Sequence, residues 1–152
     1  MKKHGTCINQ IKLTFPSLSE NERFARLAVS GFLSQLNPQL DELSDVKTAV
    51  SEAVTNSIVH AYRDTVGRID MEAKLFADET FYIRIKDYGC GIPDIAKAME
   101  PLYTSAPEEE RAGLGFAVME SFMDTVRVRS KVDAGTTVTM TKQMLKRKAV
   151  HG

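Results

Sequence analysis

Hydrophobic positions along this chain change period several times, and each change marks an element. Ile11, Leu13 and Phe15 alternate with polar neighbours across residues 7–15 and predict a strand ending at Pro16. Ser19-Glu20-Asn21-Glu22 has the form of a capping box, so a helix is expected from there to about Leu36, with Phe24, Leu27, Ala28, Phe32 and Leu36 near one face. Asn37-Pro38 breaks that pattern, and a longer helix is expected to run from Asp41 or Ser44 to Tyr62, with Gly67 turning the chain after it. Ile69, Met71, Ala73 and Leu75 alternate, Ala77-Asp78-Glu79 forms a turn, and Phe81, Ile83 and Ile85 alternate again, as an antiparallel hairpin requires. A short helix near Ile95 to Met99 precedes a polar stretch from Glu100 to Arg111 that carries two prolines and reads as a mobile lid. Ala112-Gly113-Leu114-Gly115-Phe116 then opens a helix bearing Val118, Met119, Phe122 and Met123. Val126 and Val128, a turn at Asp133-Ala134-Gly135 and an alternating run from Thr136 to Thr141 predict a second hairpin.

The second helix carries the most chemistry. Glu52, Asn56 and His60 recur at four-residue steps within apolar sequence, so they share one stripe, while Val50, Ala53, Val54, Ser57, Ile58 and Ala61 supply its packed side. An amide oxygen suits Mg²⁺, and a carboxylate one turn away can take a proton from an attacking hydroxyl. The same spacing also fits a solvated polar seam.

Composition narrows the field. A chain of 152 residues is long enough for one domain, here taken as 1–152, that buries roughly 68–70% of its unfolded surface. Twenty basic and twenty acidic side chains leave a formal charge of zero, which argues against a broad nucleic-acid footprint and favours protein or nucleotide partners. The basic tail from Lys142 to Lys148 therefore reads as a solvated terminus. Two cysteines, Cys7 and Cys90, make neither a disulfide framework nor a zinc pattern and point to a reducing compartment. No apolar run approaches the ~20 residues of a membrane span, so the cytoplasm is the expected location.

Two glycine-rich stretches complete the candidate chemistry. Asp87-Tyr88-Gly89-Cys90-Gly91 follows a strand, so Asp87 can accept from a ligand amine and the glycines can let a backbone approach a ligand; ordinary turn chemistry fits the same residues. Cys90 suits either a redox switch or a small filler. Gly113 and Gly115 at a helix start would offer unpaired amides to an anion, with Arg111 in reach of a terminal phosphate, although a solvated arginine is compatible too.

Taken in order, Glu52-x-x-x-Asn56, Asp87-x-Gly89-x-Gly91, Gly113-x-Gly115 and Gly135-Thr136-Thr137 resemble the ATP-binding domain shared by gyrase B, MutL, heat-shock chaperones and sensor histidine kinases, the GHKL or Bergerat fold. Ser19 to Arg26, Ser51 to Asn56, Pro101 to Thr104 and Met119 to Asp124 more closely resemble the anti-sigma F factors of spore-forming bacteria, the SpoIIAB family, over nearly the whole chain. That resemblance implies an α/β (α+β) two-layer sandwich with a mixed, mostly antiparallel sheet and helices on one face. It also implies a serine protein kinase that, with ATP or ADP and Mg²⁺, holds sigma factor F inactive and phosphorylates the anti-anti-sigma factor SpoIIAA. Asn56 would hold the Mg²⁺, Glu52 would act as base, Asp87 would meet the adenine amine with Thr136 nearby, and Gly89 and Gly91 would form the close-approach loop. Arg111, Gly113 and Gly115 would hold phosphates, Glu22 and Arg26 would face partner proteins, and the first strand would serve a homodimer. The lid departs from the family's Thr-x-Lys-Pro at Ala106, a change expected to fall on affinity or turnover. Two narrower readings stay open: a nucleotide-gated module that sequesters sigma with little kinase activity, and a stress-response anti-sigma kinase with another sigma partner.

Overall fold

The structure, a computed structural model, describes residues 4–99 and 107–144, and over 107–113 it describes the backbone alone. Five strands form one sheet: β1 (Cys7–Pro16), β2 (Arg68–Phe76), β3 (Thr80–Asp87), β4 (Thr125–Lys131) and β5 (Gly135–Gln143), in the order β1-β2-β3-β5-β4. Every neighbouring pair runs antiparallel, so the mixed sheet expected from the resemblance resolves to an antiparallel one. The two expected hairpins are β2-β3 and β4-β5.

Alternation places the core. Along β2 and β3, Ile69, Met71, Ala73, Leu75, Phe81, Ile83 and Ile85 are all buried, while the intervening positions stay partly exposed on the other face. One sheet face is therefore dry, and α1 (Glu20–Leu33), α2 (Leu40–Asn56) and α4 (Pro107–Phe122) provide its cover. In α2, Val46, Ala49, Val50, Ala53 and Val54 are at most 1% exposed. Burying each valine contributes about 1.5–3 kcal/mol before entropy is charged.

Several local expectations need correction. Ser19 adopts helical angles and makes no side-chain cap; the capping carboxylate is Glu42, which accepts from Gln39 N at 2.9 Å and so starts α2 at Leu40. The buried face of α1 is Ala25, Val29, Phe32 and Leu33, continued by Leu36 in a 3₁₀ turn, whereas Phe24 and Leu27 are exposed. The sequence shows two apolar stripes on this helix, and position relative to α2 decides which is inside. The second helix reaches Ala61, one residue short of the expected Tyr62, and its last five residues, Ser57–Ala61, form a π turn. Residues 100–106 of the expected lid, Ala106 among them, lie outside the described residues, and residues 107–111 are already helical. The expected short helix is α3 (Ile95–Ala98).

Candidate active site

Asp87, the last residue of β3, is only 4% exposed and is held from three directions. Ser57 Oγ donates to Oδ2 at 3.1 Å, while Gly89 N at 3.0 Å and Thr136 N at 3.1 Å donate to Oδ1. These donors come from the end of the second helix, the loop after β3 and the start of β5. Burial pushes the Asp87 pKa up, and the three hydrogen bonds pull against it without cancelling it. A carboxylate offers about four acceptor positions. Three are spent on the fold, which leaves capacity for one ligand donor.

Asp87 and Thr136 line a cavity of about 420 Å³ together with Asn56, Phe116, Val138 and Ile92. Largely apolar walls with one buried carboxylate suit a flat ring carrying an amine. Thr136, 8% exposed, is fixed at the mouth of β5 by its backbone bond to Asp87 and by a 2.7 Å contact between its Oγ1 and Ser130 Oγ. Gly91 and His60 also line this cavity.

The glycines of the loop serve the protein's own backbone. A Cβ at Gly89 would collide with the Ala61 carbonyl, and one at Gly91, where φ is +77°, would collide with the Lys131 carbonyl. Their absence of side chains lets the loop lie between the π turn and the β4-β5 hairpin. Cys90 N bonds Ala61 O at 3.1 Å and Asp133 N bonds Cys90 O at 2.8 Å, closing the same junction. Cys90 is exposed and lines the cavity, its Sγ 3.3 Å from His60 O.

Sequence reasoning missed three residues of this assembly. Ser57, which helical spacing places on the packed side, donates to Asp87. Tyr62 is 7% exposed; its hydroxyl donates to Arg68 O and accepts from Tyr88 N, both at 2.6 Å, thereby pinning the residue after Asp87. Burial pushes the Tyr62 phenol up, against the lowering effect of the Tyr88 N–H. Ser130 accepts from Ile92 N at 2.7 Å, tying the loop to β4. Only the alternation at Ser130, a hydroxyl at an inward strand position, could have flagged any of them.

Glu52 and Asn56 come together one turn apart on α2, opposite Gly115 of α4. A Cβ at Gly115 would stand 3.2 Å from both Asn56 Nδ2 and Glu52 Oε1, so a glycine here allows α4 to close onto both side chains. Asn56 Nδ2 is buried with no partner among the described residues. A buried amide with an unspent end, which can present oxygen after a 180° flip, fits a hard cation that draws its remaining ligands from phosphate and water. No group of three His, Cys, Asp or Glu that could cage a metal occurs among the described residues. The backbone places Arg111 and Gly113 within α4, and the helix begins at Pro107. Gly113 and Gly115 thus lie inside a helix, not at its start, where amides are bonded to carbonyls four residues earlier. Glu22 and Arg26 pair on α1, Nε to Oε2 at 3.3 Å, and Glu22 Oε2 also accepts from Ser51 Oγ at 2.8 Å.

A helix bearing a carboxylate and an amide, packed beside a cavity floored by a buried aspartate, is the arrangement of one class of nucleotide-binding protein. The model of the histidine kinase-like ATPase domain matches residues 15–142, and the chain belongs to that family. Among named relatives, the anti-sigma F factor of Clostridium kluyveri is 54% identical over 134 residues, covering 88% of this chain and 94% of that one. The anti-sigma F factor of Oceanobacillus iheyensis is 51% identical over 143 residues, 94% of this chain and 98% of the relative. That of Bacillus subtilis is 46% identical over 143 residues, with 93% and 97% covered. Within the ATPase family, then, the chain is a member of the anti-sigma F factors. Solved structures agree on the fold: the RsbU and RsbW domains of a Mycobacterium tuberculosis protein superpose with a TM-score of 0.67 at 21% identity, covering 90% of this chain and 32% of that one. The histidine kinase domain of a blue-light activated kinase from Erythrobacter litoralis gives 0.56 at 15% identity, covering 82% and 61%. Among the described residues, no helix is long and apolar enough to cross a membrane.

Proposed function

We propose that this chain is an ATP-dependent anti-sigma kinase of the cytoplasm: it holds sigma factor F inactive and transfers the γ-phosphoryl group of ATP to a serine of its antagonist, the anti-anti-sigma factor SpoIIAA. The observation that carries this reading is the turn of α2 on which Glu52 and Asn56, its Nδ2 without a partner among the described residues, face Gly115 beside the Asp87 cavity. Asp87 accepts the adenine amine, Thr136 and Gly91 border the ring, and Gly89 shapes the loop. Asn56 is the ligand for Mg²⁺, which when bound neutralises phosphate charge. Glu52 takes the proton of the serine hydroxyl as its oxygen bonds the γ-phosphorus; the bond to the bridging oxygen breaks and ADP leaves. Arg111, Gly113 and Gly115 hold phosphate. For the two glycine amides to do so, α4 has to begin at them, which requires the turns from Pro107 to unwind. Glu22 and Arg26 contact the partner proteins, and β1, at the sheet edge, serves a homodimer.

Incubating the protein with γ-labelled ATP, Mg²⁺ and the antagonist tests this directly. Wild type is expected to label a serine of the antagonist. Glu52→Ala is expected to keep nucleotide affinity and to lose roughly 10²–10⁴-fold in transfer, the usual worth of a positioned base. Equal labelling by both proteins refutes Glu52 as base, and tight sigma binding with no label from wild type replaces the kinase by a sequestering module.

A further inference from the structure

The outer face of the sheet is charged asymmetrically. On β3, β5 and β4 its outward positions hold Arg84, Lys86, Arg127, Arg129 and Lys131 among hydroxyls and amides, with no aspartate or glutamate, in a chain whose formal charge is zero. Toward β2 these cations are spent. Arg84 meets Glu72 at 3.6 Å, and Lys86 Nζ stands 4.9 Å from the centre of the Tyr88 ring. On β4 they are not. Arg127, Arg129 and Lys131 are exposed and make no ion pair or hydrogen bond through their side chains among the described residues.

The same strand is an edge of the sheet. It bonds β5 on one side, and its other side has no strand partner among the described residues. At its far end the loop after β3 closes in: a Cβ at Gly91 would strike the Lys131 carbonyl, and Ile92 N donates to Ser130 Oγ. Residues 125–129 thus form the open part, a run of ordinary strand length. Cations at every second residue repeat about every 6.6 Å, the step between same-face side chains of an opposing strand. Pairing this edge with a copy of itself would set like charges against one another. An acidic strand reverses the sign. Nucleic acid is matched less well, because the tyrosines of this face are already covered. Arg68 lies 4.7 Å from the Tyr88 ring opposite its contact with Lys86, and Lys74 lies 5.4 Å from the Tyr82 ring, so neither is free to stack a base.

We infer that the open edge of β4 takes an extended segment of a partner protein as a sixth strand, with aspartates or glutamates at alternate positions of that segment opposite Arg127 and Arg129. Main-chain bonds to residues 125–129 supply affinity, and the carboxylates select the segment. Lys131 adds attraction at one end. This edge lies across the sheet from β1, and neither arginine lines the Asp87 cavity, so the inference stands apart from the kinase reading.

A fluorescein-labelled heptapeptide alternating valine with glutamate, and its glutamine counterpart, are titrated by anisotropy against the full chain. At low salt the glutamate peptide is expected to bind about fivefold or more tightly, the scale of two cross-strand ion pairs. Arg127→Gln with Arg129→Gln is expected to abolish that preference while leaving nucleotide affinity and thermal unfolding level. Arg127→Glu with Arg129→Glu is expected to prefer a lysine version of the peptide. Methylating alternate amides of the glutamate peptide, in one of the two possible phases, is expected to abolish binding, which charge attraction alone would not do. Equal binding of the first two peptides, a preference that survives loss of both arginines, or undiminished binding of both methylated peptides overturns the inference. Tighter binding of a labelled oligothymidylate also overturns it and assigns the ridge to nucleic acid. A fall in sedimentation coefficient on removing the arginines does so too, assigning the edge to a second copy.

Discussion

Asp87→Asn separates the fold's demand on this residue from the ligand's. Alanine here would strand Ser57 Oγ, Gly89 N and Thr136 N, now at 3.0–3.1 Å from the carboxylate. At about 1–3 kcal/mol for each buried donor, that loss rivals a total stability of about 5–15 kcal/mol. Asparagine keeps Oδ1 for the two backbone amides, and the Ser57 hydroxyl can turn to accept from the new Nδ2. Weaker bonds to a neutral acceptor are offset by removing a charge that burial penalises, so the net change in stability is expected within about 1–2 kcal/mol. Toward an incoming amine the exchange is unfavourable, because one ligand-facing acceptor becomes a donor. A lost charged bond and an opposed pair of N–H groups together cost about 2–3 kcal/mol, roughly 30–150-fold in affinity. Denaturant unfolding and titration with a fluorescent ATP analogue measure the two quantities on the same preparation. The pH dependence adds a second signature. Because burial raises the folded pKa of Asp87, the native chain binds its proton at higher pH than the unfolded chain, and this group removes stability as pH rises from the unfolded value, ~3.9, to the raised one. Nucleotide affinity moves oppositely: it falls as pH drops through the raised value, starting above the ordinary carboxylate range, and Asp87→Asn lacks that limb. An Asp87→Asn protein that binds ATP as wild type does, with its fold intact, would refute the assignment of Asp87 as the amine acceptor.

Three further substitutions test the supports. Tyr62→Phe removes both 2.6 Å bonds to Arg68 O and Tyr88 N, so unfolding is expected about 1–3 kcal/mol easier and exchange at the Tyr88 amide faster, read by hydrogen exchange. Gly135→Ala places a Cβ against the Asp87 carbonyl at a φ of +113°, and a loss of about 2 kcal/mol or more is expected in thermal unfolding, with weaker nucleotide binding. Gly115→Ala is expected to spare the fold, since a helical Ala gains up to about 1 kcal/mol, yet to displace the Glu52 and Asn56 side chains 3.2 Å from its Cβ. Phosphoryl transfer should then fall about tenfold or more while global stability stays level.

Period and turn chemistry made the strands legible, since in β2 and β3 the apolar set at alternate positions is the buried set. They failed on α1, where Phe24 and Leu27 obey helical spacing as well as Val29 and Phe32 do. Which stripe is buried depends on where α2 lies, and that is tertiary information. The candidate site was legible as residue types in order: Asp87 and Thr136 do meet, and Glu52 and Asn56 do share a turn. Hidden were the groups that hold them, because a serine or tyrosine hydroxyl spent on a backbone amide leaves no spacing pattern. Gly89 and Gly91 suit a ligand's close approach, yet each is already required by a neighbouring carbonyl. A glycine signature of this kind records how closely two backbones pass, and a ligand is one of several reasons for that.

The π turn explains how the two ends of the site stay in register. In an unbroken α-helix, Asn56 and His60 would sit one above the other as members of a single stripe. Widening the helix at Ser57–Ala61 adds a residue to that turn and rotates all that follows. Ser57, the first residue of that turn, donates to Asp87, and the carbonyl of Ala61, its last residue and without a helical partner, accepts from Cys90 N at 3.1 Å. The end of the second helix is consequently bonded both to the buried aspartate and to the loop beyond it. Asn56 is the residue immediately before this turn and Glu52 lies one α-turn earlier, with no glycine or proline between them to absorb a shift. Displacing the loop at Asp87 therefore pulls on the backbone that positions the amide and the carboxylate. The placement of π turns at functional positions in other helices has the same physical basis: the extra residue costs local stability and redirects side chains that regular geometry would stack.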